Sequence, residues 1–262
     1  MKKNRPWLLL DVSFLCHRAF YSTRDLQFGD MKTGVTFGLL QTVARLQDQF
    51  NTNKVVFCFD SKHSKRKELD SEYKANRKSN RDTWEEEKIE AWKDMQHQIK
   101  LLRLRYLEAL GYQNIFIQKG YEADDVIASI IWKHWKKGTG GSKRFIIISS
   151  DKDLYQLLLS AKITQWDPNK KELMTNELVL KEHGISPTVW HLAKAIAGDS
   201  GDNVPGVPGV GMKTAIKSIL GTTTEKTEAK IKKFKKRITL NQKLVELPFK
   251  DTKEFVLQKD CV

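Results

Sequence analysis

The sequence predicts an α/β fold, with a mostly parallel central sheet flanked by helices. Three observations carry this reading. Four short apolar runs, at 7–10, 55–59, 115–117 and 145–148, have the length and continuity of strands buried on both faces. Between them, apolar residues recur at three- and four-residue steps, as amphipathic helices require. The alternation of the two is the pattern of crossover-connected parallel strands.

Taken in order, Trp7 to Leu10 forms the first strand, and Leu39, Leu40, Val43, Leu46 and Phe50 line one face of a helix. The second strand is 55–59. Residues 61–88 are then nearly devoid of aliphatic side chains and densely charged, too polar for a core. Helical spacing resumes with Ile89, Trp92, Ile99, Leu102 and Leu110, with Met95 or Gln96 in the gap, before the third strand. Ala123, Val126, Ile127, Ile130 and Ile131 form another helical face, and the fourth strand follows. After about residue 185 the chain becomes helical segments punctuated by Gly and Pro, running into a basic stretch at 232–237. The expected division is therefore an α/β core over 1–184, including the charged segment 61–90, and a helical region over 185–262.

Composition narrows the function classes. In 262 residues, 46 Lys+Arg face 32 Asp+Glu, a formal charge of +14, while 40% hydrophobic residues and seven Trp are ample for a core. Whole-chain disorder is excluded, and the basic excess points to a polyanionic partner. The basic start is followed by only four apolar residues before Asp11, too few for a signal peptide, and no run is long enough to span a membrane. Cys16, Cys58 and Cys261 are odd in number and far apart, so no disulfide framework or cysteine-based zinc site is indicated. A soluble, cytoplasmic protein is expected.

The acids fall where strands end. Asp11 and Asp60 follow the first two runs, Glu122, Asp124 and Asp125 open a helix after the third, and Asp151 and Asp153 follow the fourth. Ligands of open α/β sheets gather at the carboxyl ends of the strands, so all seven should converge on one rim. Singly, each reads as a helix cap or turn residue. Together they could not all ionise without counter-charge. An all-oxygen donor set favours Mg²⁺ or Mn²⁺ over zinc, and two such ions about 4 Å apart suit in-line phosphodiester displacement. His17, His63, His97, His134, His183 and His191 show no metal-ligand spacing.

A second motif occupies 198–215, where Gly206, Gly209 and Gly211 allow tight turns and close approach to another surface. A helix starting near Met212 would aim its amides at an anion, with Lys213 beside them, as a sequence-independent grip on a nucleic-acid backbone. Asp199 and Asp202 precede this loop and bring the acids to nine.

The blocks 122–125 (Glu-Ala-Asp-Asp), 150–153 (Ser-Asp-Lys-Asp) and 198–211, in that order, resemble those of the 5′-nuclease superfamily. That superfamily contains phage 5′→3′ exonucleases, flap endonucleases and the 5′-nuclease domain of DNA polymerase I. The resemblance runs from about Trp7 to Leu220. It implies a PIN-like 5′-nuclease core, with Asp11, Asp60, Glu122, Asp124 and Asp125 as a first metal cluster and Asp151, Asp153, Asp199 and Asp202 as a second. It further implies a helix–three-turn–helix element at 187–220 holding duplex DNA through Gly206, Gly209, Gly211, Lys213 and Thr214, with K⁺ in the 206–211 loop.

Within the charged segment, 73–77 (Tyr-Lys-Ala-Asn-Arg) looks like the family motif at the base of a helical arch. The resemblance makes Lys74 a contact of the scissile phosphate, and Tyr73, Arg77 and Arg81 grips on the strand, Tyr73 by stacking. Between Ser61 and Arg81, eight Lys/Arg face three acids, which suits a phosphate backbone as well as a solvated charged helix. Arg18 and Arg24 are candidate 5′-strand contacts. Val12 departs from the family, which usually has Gly there; a β-branched side chain beside Asp11 is expected to narrow access. Residues 244–248 look like a family strand returning to the sheet, and the lysine-rich 230–237 is either a duplex-facing helix or a solvated tail.

The expected activity is that of a monomeric, two-metal 5′→3′ exonuclease or flap endonuclease. Its expected substrates are branched, nicked or flapped DNA or an RNA–DNA hybrid, and its expected setting is beside phage replication proteins. Asp11, Asp60, Asp124, Asp151, Asp153 and Lys74 would carry the catalysis. A non-catalytic structure-specific DNA-binding protein and a toxin-like PIN ribonuclease stay open as alternatives.

Overall fold

The structure is a computed structural model that describes residues 5–135 and 141–258. Cys261 and Met1 to Asn4 of the basic start lie outside the described residues. In chain order, β1 (Trp7–Asp11) leads directly into α1 (Val12–Thr23), followed by a small hairpin of β2 (Gln27–Phe28) and β3 (Met31–Lys32). Next come α2 (Gly34–Phe50), β4 (Val55–Phe59), and the charged segment as α3 (Arg66–Leu69), α4 (Ala75–Asp82) and the start of α5 (Glu86–Leu101). A π-helical turn, Leu102–Tyr106, joins α5 to α6 (Leu107–Ala109). Then follow β5 (Ile115–Ile117), α7 (Ala123–His134), β6 (Phe145–Ile148), β7 (Ile163–Asp167), β8 (Glu172–Met174) and α8 (Asn176–His183). The final region holds α9 (Trp190–Ala197), β9 (Gly198–Asp199), β10 (Val204–Pro205), α10 (Met212–Ile219), α11 (Glu225–Lys233) and α12 (Lys235–Val245).

The main sheet is six-stranded in the order β5-β4-β1-β6-β7-β8. All its pairings are parallel except the edge pair β7–β8. Three of the four apolar runs, β1, β4 and β6, are its interior, with Leu8, Leu9, Leu10, Val55, Val56 and Phe57 fully buried. The fourth, expected to be buried on both faces, is the half-buried edge strand β5, paired on one side only. One core lies between the sheet and α7, α9 and the C-terminal segment, and the other between the sheet and α1, α2 and α5. Because β1 is paired on both sides by strands whose connections leave in opposite directions, its carboxyl end is a topological switch point, where a crevice opens.

Two expectations are corrected. Val12 is fully buried in the core beside Leu8, Leu10 and Leu39, so it packs the interior and takes no space from the crevice. Residues 244–248 do not return as a strand: α12 runs to Val245, and 246–258 cross α7 as an extended strap. The strap is held by side chains rather than by a ladder. Gln156 Oε1 accepts from Leu247 N at 2.9 Å, Ser129 Oγ donates to Lys253 O at 2.7 Å, and Asn114 Oδ1 accepts from Gln258 N at 2.8 Å. The lysine-rich 230–237 spans the end of α11 and the start of α12. Among the described residues, no helix is long and apolar enough to cross a membrane.

Candidate active site

The strand-end acids cap backbone and face the crevice at once. Asp11 is the N-cap of α1: its Oδ1 accepts from Phe14 N at 3.0 Å, and its Oδ2 from Ser149 Oγ, just past β6, at 3.1 Å. Asp60 Oδ1 accepts from Ala123 N at 2.7 Å and so fixes the first turn of α7 beside β4. Asp151 Oδ1 accepts from Asp153 N at 2.8 Å. Asp199 Oδ1 accepts from Gly201 N at 2.8 Å and Asp202 N at 3.2 Å. The ordinary capping role therefore orients each carboxylate rather than competing with a functional one. Gln165 on β7, which sequence reasoning missed, donates to Ser149 O at 2.9 Å and Asp151 O at 2.7 Å and holds that loop.

The electrostatics are those of crowded carboxylates. Burial, reinforced by Asp60 and Asp151, raises the pKa of Asp11 from 3.8 to about 7. Burial and the charges of Asp151, Asp11 and Asp60 push Asp124 well above the carboxylate range. Burial and Asp151 raise Asp153 to about 7 against the pull of Lys194. Oxygens of Asp153, Asp199 and Asp202 lie within 4.8 Å of one another, a spacing one cation can bridge. Oxygen donors at this proximity fit a hard divalent ion.

Cations of the chain itself meet Glu122 and all three acids of this cluster. Lys74 Nζ lies 2.6 Å from Glu122 Oε2 and 3.5 Å from Asp202 Oδ2, bridging the two predicted clusters. Burial alone would raise Glu122, but Lys74 and then Arg66 outweigh it and hold its pKa at about 2. Arg77 Nη2 pairs with Asp202 Oδ1 at 2.7 Å. Lys194 on α9 pairs with Asp153 Oδ1 at 2.7 Å and also with Asp199 Oδ2. Lys194 carried no sequence signal beyond lying five residues before Asp199, which follows the end of its helix.

Two site assignments change. Asp125 is completely buried and both its oxygens are taken, by Arg66, Glu122 N and Phe249 N, so it is not positioned like the other eight acids. Tyr73 is only 3% exposed, and its hydroxyl donates toward Glu122 Oε2 and Asp202 Oδ2 at 3.3 and 3.1 Å. Its ring therefore has no face free for a base. Arg18 and Arg24 are exposed and engage Asn169 and Asp25 rather than crevice acids. Arg81 stacks over Trp92 at 5.3 Å, on the charged segment.

Beside the second cluster, α9 and α10 are joined by the glycine-rich 198–211. A Cβ on Gly206 would sit 2.0 Å from Ala197 O, and Gly209 has φ +73°, so both positions need glycine. Gly211 is the N-cap of α10, which opens with Met212 and exposes Lys213. Thr214 N donates back to Gly211 O at 3.0 Å. A groove of about 970 Å³ runs from Lys194 and Asp199 along Gly206 and Gly211 to Lys213.

With this geometry in view, residues 6–184 match the model of the 5′-3′ exonuclease N-terminal, resolvase-like domain. The chain belongs to the 5′-3′ exonuclease family. A 5′-3′ exonuclease of Buchnera aphidicola subsp. Schizaphis graminum is 30% identical over 98% of this chain and 81% of its own length. DNA polymerase I of Mycobacterium leprae is 33% identical over 81% of this chain but only 22% of the polymerase. Among solved structures, T5 5′-exonuclease with bound zinc superposes with a TM-score of 0.76 at 21% identity, covering 93% of this chain and 90% of the other. That likeness shows a shared fold. Family membership makes the chain a nuclease, and the acidic crevice is its candidate divalent-metal centre.

Proposed function

We propose that the protein is a structure-specific, Mg²⁺- or Mn²⁺-dependent 5′ nuclease that hydrolyses phosphodiesters in DNA flaps or RNA primers, using two ions. The observation that carries the reading is the pair of carboxylate clusters with Lys74 between them at the base of a positively charged segment. Asp11, Asp60, Glu122 and Asp124 would hold one ion, joined by Asp151, which the resemblance placed in the second cluster but whose charge acts on Asp11 and Asp124. Asp153, Asp199 and Asp202 would hold the other. When bound, such ions supply Lewis acidity and a nucleophilic water near neutral pH.

The chain's own residues do the rest. Lys74, which lies between Glu122 and Asp202, would put its ammonium on the scissile phosphate and stabilise developing charge. Arg77 and Arg81 grip the single strand, while Arg18 and Arg24 are surface contacts for its 5′ side. The 187–220 element, with the amides before α10 and Lys213, holds the duplex arm by its backbone, and its 206–211 loop is a site for a monovalent cation. The core over 1–184 thus supplies most of the chemistry and the strand grip, and the helical region over 185–262 supplies the duplex grip together with Asp199 and Asp202 of the second ion site. Such a protein acts as a monomer in the cytoplasm.

The test is a 5′-flap duplex, end-labelled as DNA and as RNA, incubated with and without Mg²⁺. The reading expects Mg²⁺-dependent products with 5′-phosphate and 3′-hydroxyl ends. Binding without product at any divalent concentration would leave a non-catalytic DNA-binding protein, and preference for structured RNA would revive the ribonuclease alternative.

A further inference from the structure

Asp60, Asp151 and Asp199 each spend one oxygen on local backbone, and Asp11 one on backbone and one on the Ser149 hydroxyl; Asp125 is bound differently. Arg66 grips it bidentately, Nη1 to Oδ2 and Nη2 to Oδ1, both at 2.7 Å. Glu122 N donates to Oδ2 at 3.0 Å and Phe249 N to Oδ1 at 2.8 Å. Arg66 in turn donates from Nε to Leu244 O at 2.7 Å, and its guanidinium lies over the Phe249 ring at 4.8 Å. Arg66 is 2% exposed and Asp125 is fully buried. Four bonds saturate the Asp125 carboxylate in the geometry that makes Arg–carboxylate pairs strong and directional.

The pair joins three segments that are distant in sequence. Arg66 belongs to α3, eight residues before Lys74 at the base of the charged segment. Asp125 lies in the first turn of α7, beside Glu122 and Asp124. Leu244 and Phe249 lie where α12 passes into the strap. Arg66 Nη1 also comes within 3.9 Å of Glu122 Oε2, the oxygen that Lys74 holds.

We propose that Asp125 is not a metal ligand but, with Arg66, a positioning pair that locks the charged segment, the acid-bearing turn of α7 and the C-terminal strap into one geometry. Its task is to set Glu122 against Lys74. This rests on the nuclease reading for its effect on rate, and on geometry alone for its effect on ion count and on the strap.

The experiment compares Asp125→Asn, Arg66→Met and the double variant Arg66→Met/Asp125→Leu, with Asp124→Asn as the ligand control. Removing one partner of a buried pair strands the other, whereas replacing both with apolar residues is often tolerated, so the double variant stays informative if a single one fails to fold. Mn²⁺ bound to the DNA-free protein is counted by electron paramagnetic resonance, and exchange of 246–258 is followed by hydrogen–deuterium mass spectrometry. The variants at 66 and 125 should keep the wild-type number of Mn²⁺ ions while the strap exchanges faster; Asp124→Asn should lose an ion. On flap DNA, each single variant should lower kcat about tenfold or more with KM within about threefold, and the double should be no worse than either, as members of one unit behave. Loss of an ion in Asp125→Asn with none lost in Arg66→Met would make Asp125 a ligand and overturn the proposal. So would unchanged kcat in folded variants, or effects of the two that multiply. If the wild type cuts no flap while ion count and strap exchange behave as stated, the nuclease reading falls and the structural lock stands.

Discussion

Adding divalent ions to the metal-free protein should release protons, because two crevice carboxylates, Asp11 and Asp153, hold them near neutrality. Asp11 and Asp153 have pKa values of about 7, and Asp124 lies well above the carboxylate range. At pH 7 the first two carry about half a proton each, so their ionisation on saturation with Mg²⁺ should release roughly one proton per chain, and the raised Asp124 can only add to it. Lowering the pH from 8 to 6 fills Asp11 and Asp153 and should increase the release by about one and a half protons. The sign follows directly: protons compete with the ion, so apparent affinity falls as pH falls, by about tenfold per unit around neutrality from Asp11 and Asp153. Calorimetric titration in two buffers of different ionisation enthalpy measures this. Asp153→Asn should remove about half a proton from the total at pH 7. Heats identical in both buffers would mean that the carboxylates are already ionised, and would refute the crowded-cluster account.

Further outcomes follow from the same geometry. Asp153→Asn should abolish turnover yet bind flap DNA at least as tightly as wild type, measured by fluorescence anisotropy, because a negative charge near the phosphate is lost. Lys74→Ala should slow single-turnover cleavage about 100-fold or more while duplex affinity changes little; equal losses would reduce it to a phosphate contact. Gly206→Ala forces a Cβ to within 2.0 Å of Ala197 O, so thermal melts should show a loss of about 3 kcal/mol or more, with duplex binding weakened. Flap affinity should fall steeply and linearly in log–log form with salt, while sequence preference stays slight; a shallow slope would contradict binding through the basic surface.

What was legible in the sequence was whatever repeats locally. Apolar continuity marked 7–10, 55–59 and 145–148, because strands buried on both faces leave no room for polar residues. The acids after them were visible because a chain leaving a strand end must turn there, and Asp serves both turn and crevice. The strand Ile163–Asp167 was missed because Thr164 and Gln165 interrupt its apolar pattern, Gln165 being spent on the loop carrying Asp151. The strand expected at 244–248 is absent because α12 runs to Val245 and the strap after it is satisfied by side chains of distant residues, which leave no periodicity.

The sequence by itself determined the α/β class, the family and the set of nine acids, together with a charge of +14 that would be +23 without them. Only the tertiary structure decided how those acids divide. Eight orient toward a crevice partly neutralised by Lys74, Arg77 and Lys194, and one is sealed against Arg66. The physical reason is that a carboxylate's role depends on which donors reach its two oxygens. For Asp125 those donors come from residues 66, 122 and 249, a coincidence that the chain creates only by folding.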